Sequence, residues 1–276
     1  MAPSSSNTSA AVPGVTASLN FVIPPTDGAP AYQKINAAKE TGVREKNFAL
    51  AAHEVTVHDL RATGTIQRTR PARHTCFSDD ASIMKEYYPE SVELIKKRTG
   101  AARVIIFDHT IRRRRPGQLD DSPDRRQPLA QAHLDQTPIS ALARVHKHVP
   151  SAELPTLLGK RFQILNLWRP IHHPAHDWPL ALCDFRSFDP EDLILVSLVY
   201  PDRAGETYGV KYNSKQRWVY FSGLEPEDAI LIKCYDSLQD GSAALYGPHT
   251  AFCDPKTPAD APLRESIELR ALVFYN

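Results

Sequence analysis

The stretch QAHLDQTP, residues 131–138, sets a histidine and an aspartate two positions apart. On a strand, residues two apart project to the same side, so His133 and Asp135 can offer an imidazole nitrogen and a carboxylate oxygen to one cation. Spacing alone does not fix the third ligand. His249, in LYGPHTAFC, is a lone histidine inside a segment that reads as a strand, 114 positions beyond Asp135 (249 − 135), a gap that several strands would fill. Two histidines and one carboxylate on a β scaffold form the facial triad that leaves the remaining positions open at Fe(II). The same three ligands with a bound water suit a zinc hydrolase, and a β-barrel binding protein could carry them without turnover.

The C-terminal segment RESIELRALVFY holds a second constellation. Period-two alternation puts Ile267, Leu269, Ala271 and Val273 on one face and Arg264, Ser266, Glu268 and Arg270 on the other. Antiparallel sheets commonly leave one face wet, so a solvated polar face is the first expectation. The alternative is a buried face that surrounds an anion, because an unpaired buried arginine costs several kcal/mol. Beside an iron triad that anion has a chemistry: a guanidinium fork with a serine hydroxyl next to it grips the far carboxylate of a dicarboxylic acid.

Other clusters read more blandly. IHHPAHDWP (171–179) carries three histidines and Asp177, but Pro170, Pro174 and Pro179 make it a loop with solvent-facing side chains. HEVTVH spaces its histidines five apart in a strand context, unlike a zinc-binding helix. The run Arg112–Arg115 is followed by Asp120, Asp121 and Asp124 and reads as a solvated, self-neutralising loop that pairs at most with a substrate carboxylate. Asn166 and Trp168 in NLWRP share one strand face, either lining a pocket or sitting as a core tryptophan with a hydrogen-bonded asparagine. Trp218 and Tyr220 share a face with the same two readings.

These residues need a scaffold that 276 residues can build as one domain. A hydrophobic fraction of 42% and a charged fraction of 24% suit a soluble protein with a real core. A net charge of +1 recruits neither nucleic acid nor an acidic membrane, which leaves a small-molecule partner. Four cysteines without CxxC spacing point to a reducing compartment and to packing roles. The Ser/Ala/Pro-rich start lacks a basic n-region and an apolar run, so residues 1–16 are expected to be a flexible tail and the location cytoplasmic.

Residues 17–276 are then expected to form a single domain. Strands are expected at 17–23, 53–61, 102–110, 161–170, 180–185, 193–200, 216–224, 229–237, 245–253 and 265–275. Helices are expected at 89–100, 139–149 and 152–160. Many short strands without long helices between them favour an antiparallel double sheet or barrel over a parallel one.

The order His133-x-Asp135, His249, Arg264-x-Ser266 resembles the Fe(II)/2-oxoglutarate-dependent oxygenases. Seven blocks from EVTVHDLR to RESIELRALVFY, by way of RVIIFDHTIRRR, NLWRPI, PLALCD, AILIKCYDS and PHTAFCDP, narrow the resemblance. They look like the fungal family that includes gibberellin desaturase, the AsaB-type hydroxylase/desaturases and the cephalosporin-methoxylase-related proteins. The resemblance implies a mainly β protein with flanking helices on a double-stranded β-helix (jelly-roll, cupin-like) core with N-terminal strand and helix extensions. It further implies Fe(II) on His133, Asp135 and His249, with 2-oxoglutarate and O2 as cosubstrates. The implied activity is oxidation of an aliphatic C–H bond in secondary metabolism, by hydroxylation, desaturation or ring closure, for example of an amino acid to an aziridine. Arg264 lies 15 residues beyond His249 (264 − 249), farther than in many enzymes of the wider superfamily, the extra length being CDPKTPADAPL. Arg264 with Ser266 is the favoured cosubstrate grip, Arg270 is its rival, and Asn166 is a further candidate contact.

Overall fold

The computed structural model of the protein describes residues 12–37, 41, 43–64, 71–120, 122 and 125–276. The strands are β1 (Gly14–Ile23), β2 (Ala31–Ala37), β3 (Arg44–Lys46), β4 (Ala49–Asp59), β5 (Arg103–Arg113), β6 (His133–Leu134), β7 (Phe162–Pro170), β8 (Leu180–Cys183), β9 (Leu193–Val199), β10 (Ala204–Val210), β11 (Trp218–Tyr220), β12 (Ile230–Asp236), β13 (His249–Ala251) and β14 (Glu265–Phe274). The larger sheet runs β1-β4-β11-β8-β13-β6-β10-β9-β2-β3 and the smaller β12-β7-β14-β5. Only the β4–β11 and β2–β9 neighbours are parallel among the described residues. The two sheets make the expected jelly roll, mainly β with helices at its flanks.

Both faces of the small sheet are covered, for different reasons. Its outer face presents Leu165, Leu167, Ile267, Leu269, Ala271 and Val273, all packed with Ile83, Tyr87 and Ile95. Ile95 belongs to the helix Tyr88–Thr99, which has Pro89 in its first turn, basic residues in its last and Gly100 at a φ of 71° as its stop. At about 25 cal/mol per Å² of apolar area, each of these large side chains contributes roughly 2 kcal/mol by leaving water. The inner face is apolar at one end, where Phe162, Ile164, Leu272 and Phe274 meet Ala141 and Val145 of the helix Pro138–His148. At the other end it carries Arg264, Ser266 and Glu268, which are 2%, 1% and 6% exposed. The alternation expected for the last strand is therefore present, but its polar face is enclosed between the sheets and not solvated.

Three further expectations change. The chain enters β1 at Gly14, so Gly14, Val15 and Thr16 are strand and not tail; residues 1–11 of the expected tail lie outside the described residues. Arg112 and Arg113 belong to β5 and not to a solvated loop; Asp121 and Asp124 lie outside the described residues. Cys76 and Cys253 are exposed, and only Cys183 and Cys234 are packed inside. No helix among the described residues is long and apolar enough to cross a membrane.

Candidate active site

β6 and β13 are two- and three-residue strands whose one paired position is His133 opposite His249. That register sets the imidazole rings 4.4 Å apart, tilted by 55°. On the other side of β6, Gly209 of β10 pairs with His133. A Cβ at Gly209 would come within 2.5 Å of Val22, so the strand behind the histidine approaches β1 only because that position is glycine. Asp135 follows β6 directly. Thr137 then caps the helix Pro138–His148 through a reciprocal bond with Ser140, which anchors the chain just after the carboxylate.

The ligand atoms of His133, Asp135 and His249 all lie within 4.8 Å of one another, and they are the one such group of three among the described residues. Each histidine is turned by its far nitrogen. His133 Nδ1 donates to the Gln131 carbonyl at 2.7 Å and His249 Nδ1 to the Gly247 carbonyl at 3.0 Å. Both Nε2 atoms are thereby left as lone pairs aimed at Asp135, 3.5 and 3.9 Å from its oxygens. Burial works to raise the Asp135 pKa, yet His133, His249 and Arg270 outweigh it and hold the carboxyl well below the usual range. Burial, and next the neighbouring His133, lowers the His249 pKa. A neutral imidazole next to an ionised carboxylate is the charge state that a divalent cation requires of its ligands.

The small sheet supports this group from behind. Asn166 Nδ2 donates to Asp135 Oδ2 at 2.5 Å, and the Cys234 thiol reaches the same oxygen at 3.5 Å. Asn166 is fully buried and its Oδ1 has no hydrogen-bond partner. Through Nδ2 it steadies the Asp135 carboxylate. Trp168, on the same strand face, does line the cavity.

From the triad a narrow arm runs between the sheets, walled by Arg112, Leu129, Trp168, Leu180, Arg264 and Glu268. Its free space of about 20 Å³ holds about one water. A wider chamber of about 310 Å³ opens on the other side of His133 and Asp135. Arg264 ends the arm. Its Nη1 donates to the Trp178 carbonyl, its backbone N–H to Asp177 Oδ2 at 2.9 Å, and its Nε is buried without a partner. Burial and then the neighbouring Arg112 charge lower its pKa, against Asp177 and Glu268. Arg270 is supplied quite differently: it pairs with Glu268 at 2.7 Å and Asp108 at 3.2 Å, and donates to Thr110 at 2.9 Å. Ser266 is buried on β14 opposite Arg112 and is not part of the arm's wall.

A family model described as an oxidoreductase/YMDC permease-like domain matches residues 19–274. Aspirochlorine biosynthesis protein N of Aspergillus oryzae is 42% identical over 54% of this chain and 63% of its own length, so the chain matches just under two thirds of that relative. Hydroxylase/desaturase efuI of Hormonema carpetanum is 33% identical over 71% of this chain and 72% of its own. The Fe(II)/2-oxoglutarate-dependent dioxygenase nvfI of Aspergillus novofumigatus is 32% identical over 83% and 78%. A solved structure of the iron and alpha-ketoglutarate-dependent endoperoxidase NvfI superposes with a TM-score of 0.80 at 27% identity, covering 95% of this chain and 98% of that one. The chain belongs to the fungal Fe(II)/2-oxoglutarate-dependent dioxygenases. The zinc-hydrolase and non-catalytic readings of the same triad lose their footing with that membership.

Several residues of the dioxygenase site were not legible as such. Arg112 is half-buried beside Arg264 although it opens a run of four arginines, the kind of sequence usually found in a solvated loop. IHHPAHDWP serves Arg264 and not a metal: Asp177 binds the Arg264 backbone and also takes Arg114 at 2.5 Å. Trp178 adopts a left-handed φ of 45°, a strained conformation for a bulky residue, and its carbonyl accepts from the Arg264 guanidinium. Cys234 carried no local signal, since its role depends on a side-chain contact with Asp135, 99 positions away in sequence.

Proposed function

We propose that His133, Asp135 and His249 hold Fe(II), that Arg264 grips the far carboxylate of 2-oxoglutarate from the end of the arm, and that substrate enters through the wider chamber. The observation that carries this reading is the pair of histidines tied back through Nδ1, which leaves two imidazole lone pairs converging on one carboxylate. The donor set of two nitrogens and an oxygen fits ferrous iron with open positions. Bound iron with 2-oxoglutarate and O2 supplies the oxidising power that breaks a C–H bond.

The chain's own residues do the rest. Asn166 fixes the orientation of Asp135 by holding Oδ2, so that Oδ1 faces His133 and Oδ2 lies nearest His249. The Trp178 carbonyl holds the guanidinium of Arg264 at the end of the arm, and Leu129, Trp168 and Leu180 keep bulk water from its walls. Arg264 is favoured over Arg270 because Arg270 already has two carboxylates, whereas the Arg264 fork has none on its side-chain nitrogens among the described residues. Seating a dicarboxylate in an arm with room for about one water requires its side chains to draw apart. Four unpaired cysteines support a reducing, cytosolic location.

The reaction is oxidation of an aliphatic carbon of a small molecule in fungal secondary metabolism, by hydroxylation, desaturation or ring closure. The test is succinate formation from 2-oxoglutarate by protein loaded with Fe(II). Asp135→Ala is expected to abolish it, and full turnover by that variant would remove Asp135 from the metal site.

A further inference from the structure

We infer that Arg144 binds a carboxylate of the substrate, so that the enzyme takes a small organic acid with an apolar body; this rests on the dioxygenase reading of the site. The chamber that opens beside Asp135 has an apolar wall, Ile35, Leu129, Leu198 and Tyr200, together with five guanidiniums. Four of the five are already employed. Arg44 and Arg126 share Asp120, at 2.8 and 3.0 Å. Arg270 is held by Glu268 and Asp108. Arg112 also walls the inner arm and donates to the Gln127 carbonyl at 2.9 Å.

Arg144 is the exception. It is half-buried on the helix that begins just after Asp135, and it borders both the chamber and a neighbouring pocket of about 340 Å³. It has no carboxylate partner among the described residues, and its guanidinium carbon lies 5.6 Å from the face of Phe107. An aromatic face attracts the cation but leaves the fork's N–H donors unused. A carboxylate in the chamber would use them in a bidentate pair, while the substrate's apolar part lies on Leu198 and Tyr200. The cosubstrate is also a carboxylate, so the shared chemistry has two sources that must be told apart.

The probes are hexanoate, decanoate and 3-phenylpropionate, each paired with its primary amide and titrated calorimetrically into metal-free protein. The best acid is expected to bind at least tenfold more tightly than its amide to the wild type, and less than twofold more tightly to Arg144→Leu. In Arg264→Leu the preference for acid is expected to persist. The 2-oxoglutarate affinity of the Fe(II) form is expected to be the same in wild type and Arg144→Leu, which also shows that the variant is folded. Equal binding of acids and amides, no binding of any acid, or a preference that survives Arg144→Leu would overturn the assignment. A weakened 2-oxoglutarate affinity in Arg144→Leu would overturn it too, by giving Arg144 to the cosubstrate. If the wild type binds no 2-oxoglutarate with Fe(II), the dioxygenase reading fails instead, and the acid-to-amide ratio still decides the role of Arg144.

Discussion

Asp135 and Asp236 are both carboxylates withdrawn from water beside the small sheet, and their surroundings are opposite. Asp236 is fully buried at the end of β12 and saturated: Arg161 binds it through two nitrogens at 3.0 and 2.6 Å, Gln163 at 2.6 Å, Lys233 at 2.8 Å and the Leu238 N–H at 3.0 Å. Asp135 receives one amide and one thiol, and faces two imidazole nitrogens that point lone pairs at it. A carboxylate whose cations are supplied by the chain holds structure together. One surrounded by other electron-pair donors is arranged for a cation from outside.

That contrast predicts unequal responses to losing the charge. Asp236→Asn leaves Arg161 and Lys233 without their counter-ion and is expected to cost about 3 kcal/mol of stability, read by urea denaturation. Asp135→Ala, measured on metal-free protein, is expected to cost less than that, because Asp135 has no arginine or lysine among the described residues bound to it directly and is held by one amide, one thiol and two imidazoles. Equal losses in the two variants would erase the distinction.

A smaller effect separates the two arginines of β14 and its approach. Arg264→Leu is expected to raise the 2-oxoglutarate requirement by at least tenfold, the effect of losing a charge-assisted hydrogen bond worth about 1.5–3 kcal/mol. An unaltered requirement would move the role to Arg270.

The smallest effect is a dependence on pH. Hydrogen bonds from Arg161, Lys233 and Gln163 overcome burial and depress the Asp236 pKa. A carboxylate whose folded pKa is depressed contributes stability above its unfolded pKa of about 4, and that contribution is lost as pH falls towards the folded value. The stability gap between wild type and Asp236→Asn should therefore be full at pH 7 and narrow steadily below about pH 4. A gap independent of pH would assign it to packing and not to charge.

The sequence disclosed the site better than its supports. His133, Asp135 and His249 were legible because metal ligation requires particular side chains, and the alternation in RESIELRALVFY was legible because a strand has a period of two. Which face of that strand lies inside was not, since alternation is the same for a wet face and a buried polar one; only the second sheet decides. β2, β3 and β10 escaped notice because AYQKINA, REK and AGETYGV hold few β-branched residues, and they are strands through their partners. Arg112, Cys234 and Trp178 join the site through contacts with residues far off in sequence, which no local pattern encodes.

The central claim is that the triad binds iron in a form that 2-oxoglutarate then chelates. An anaerobic titration of purified protein with Fe(II) and then 2-oxoglutarate tests it most directly. A weak visible charge-transfer band is expected, saturating at one iron per chain and absent from Asp135→Ala. A wild-type spectrum that stays flat through both additions, or an undiminished band in Asp135→Ala, would contradict it.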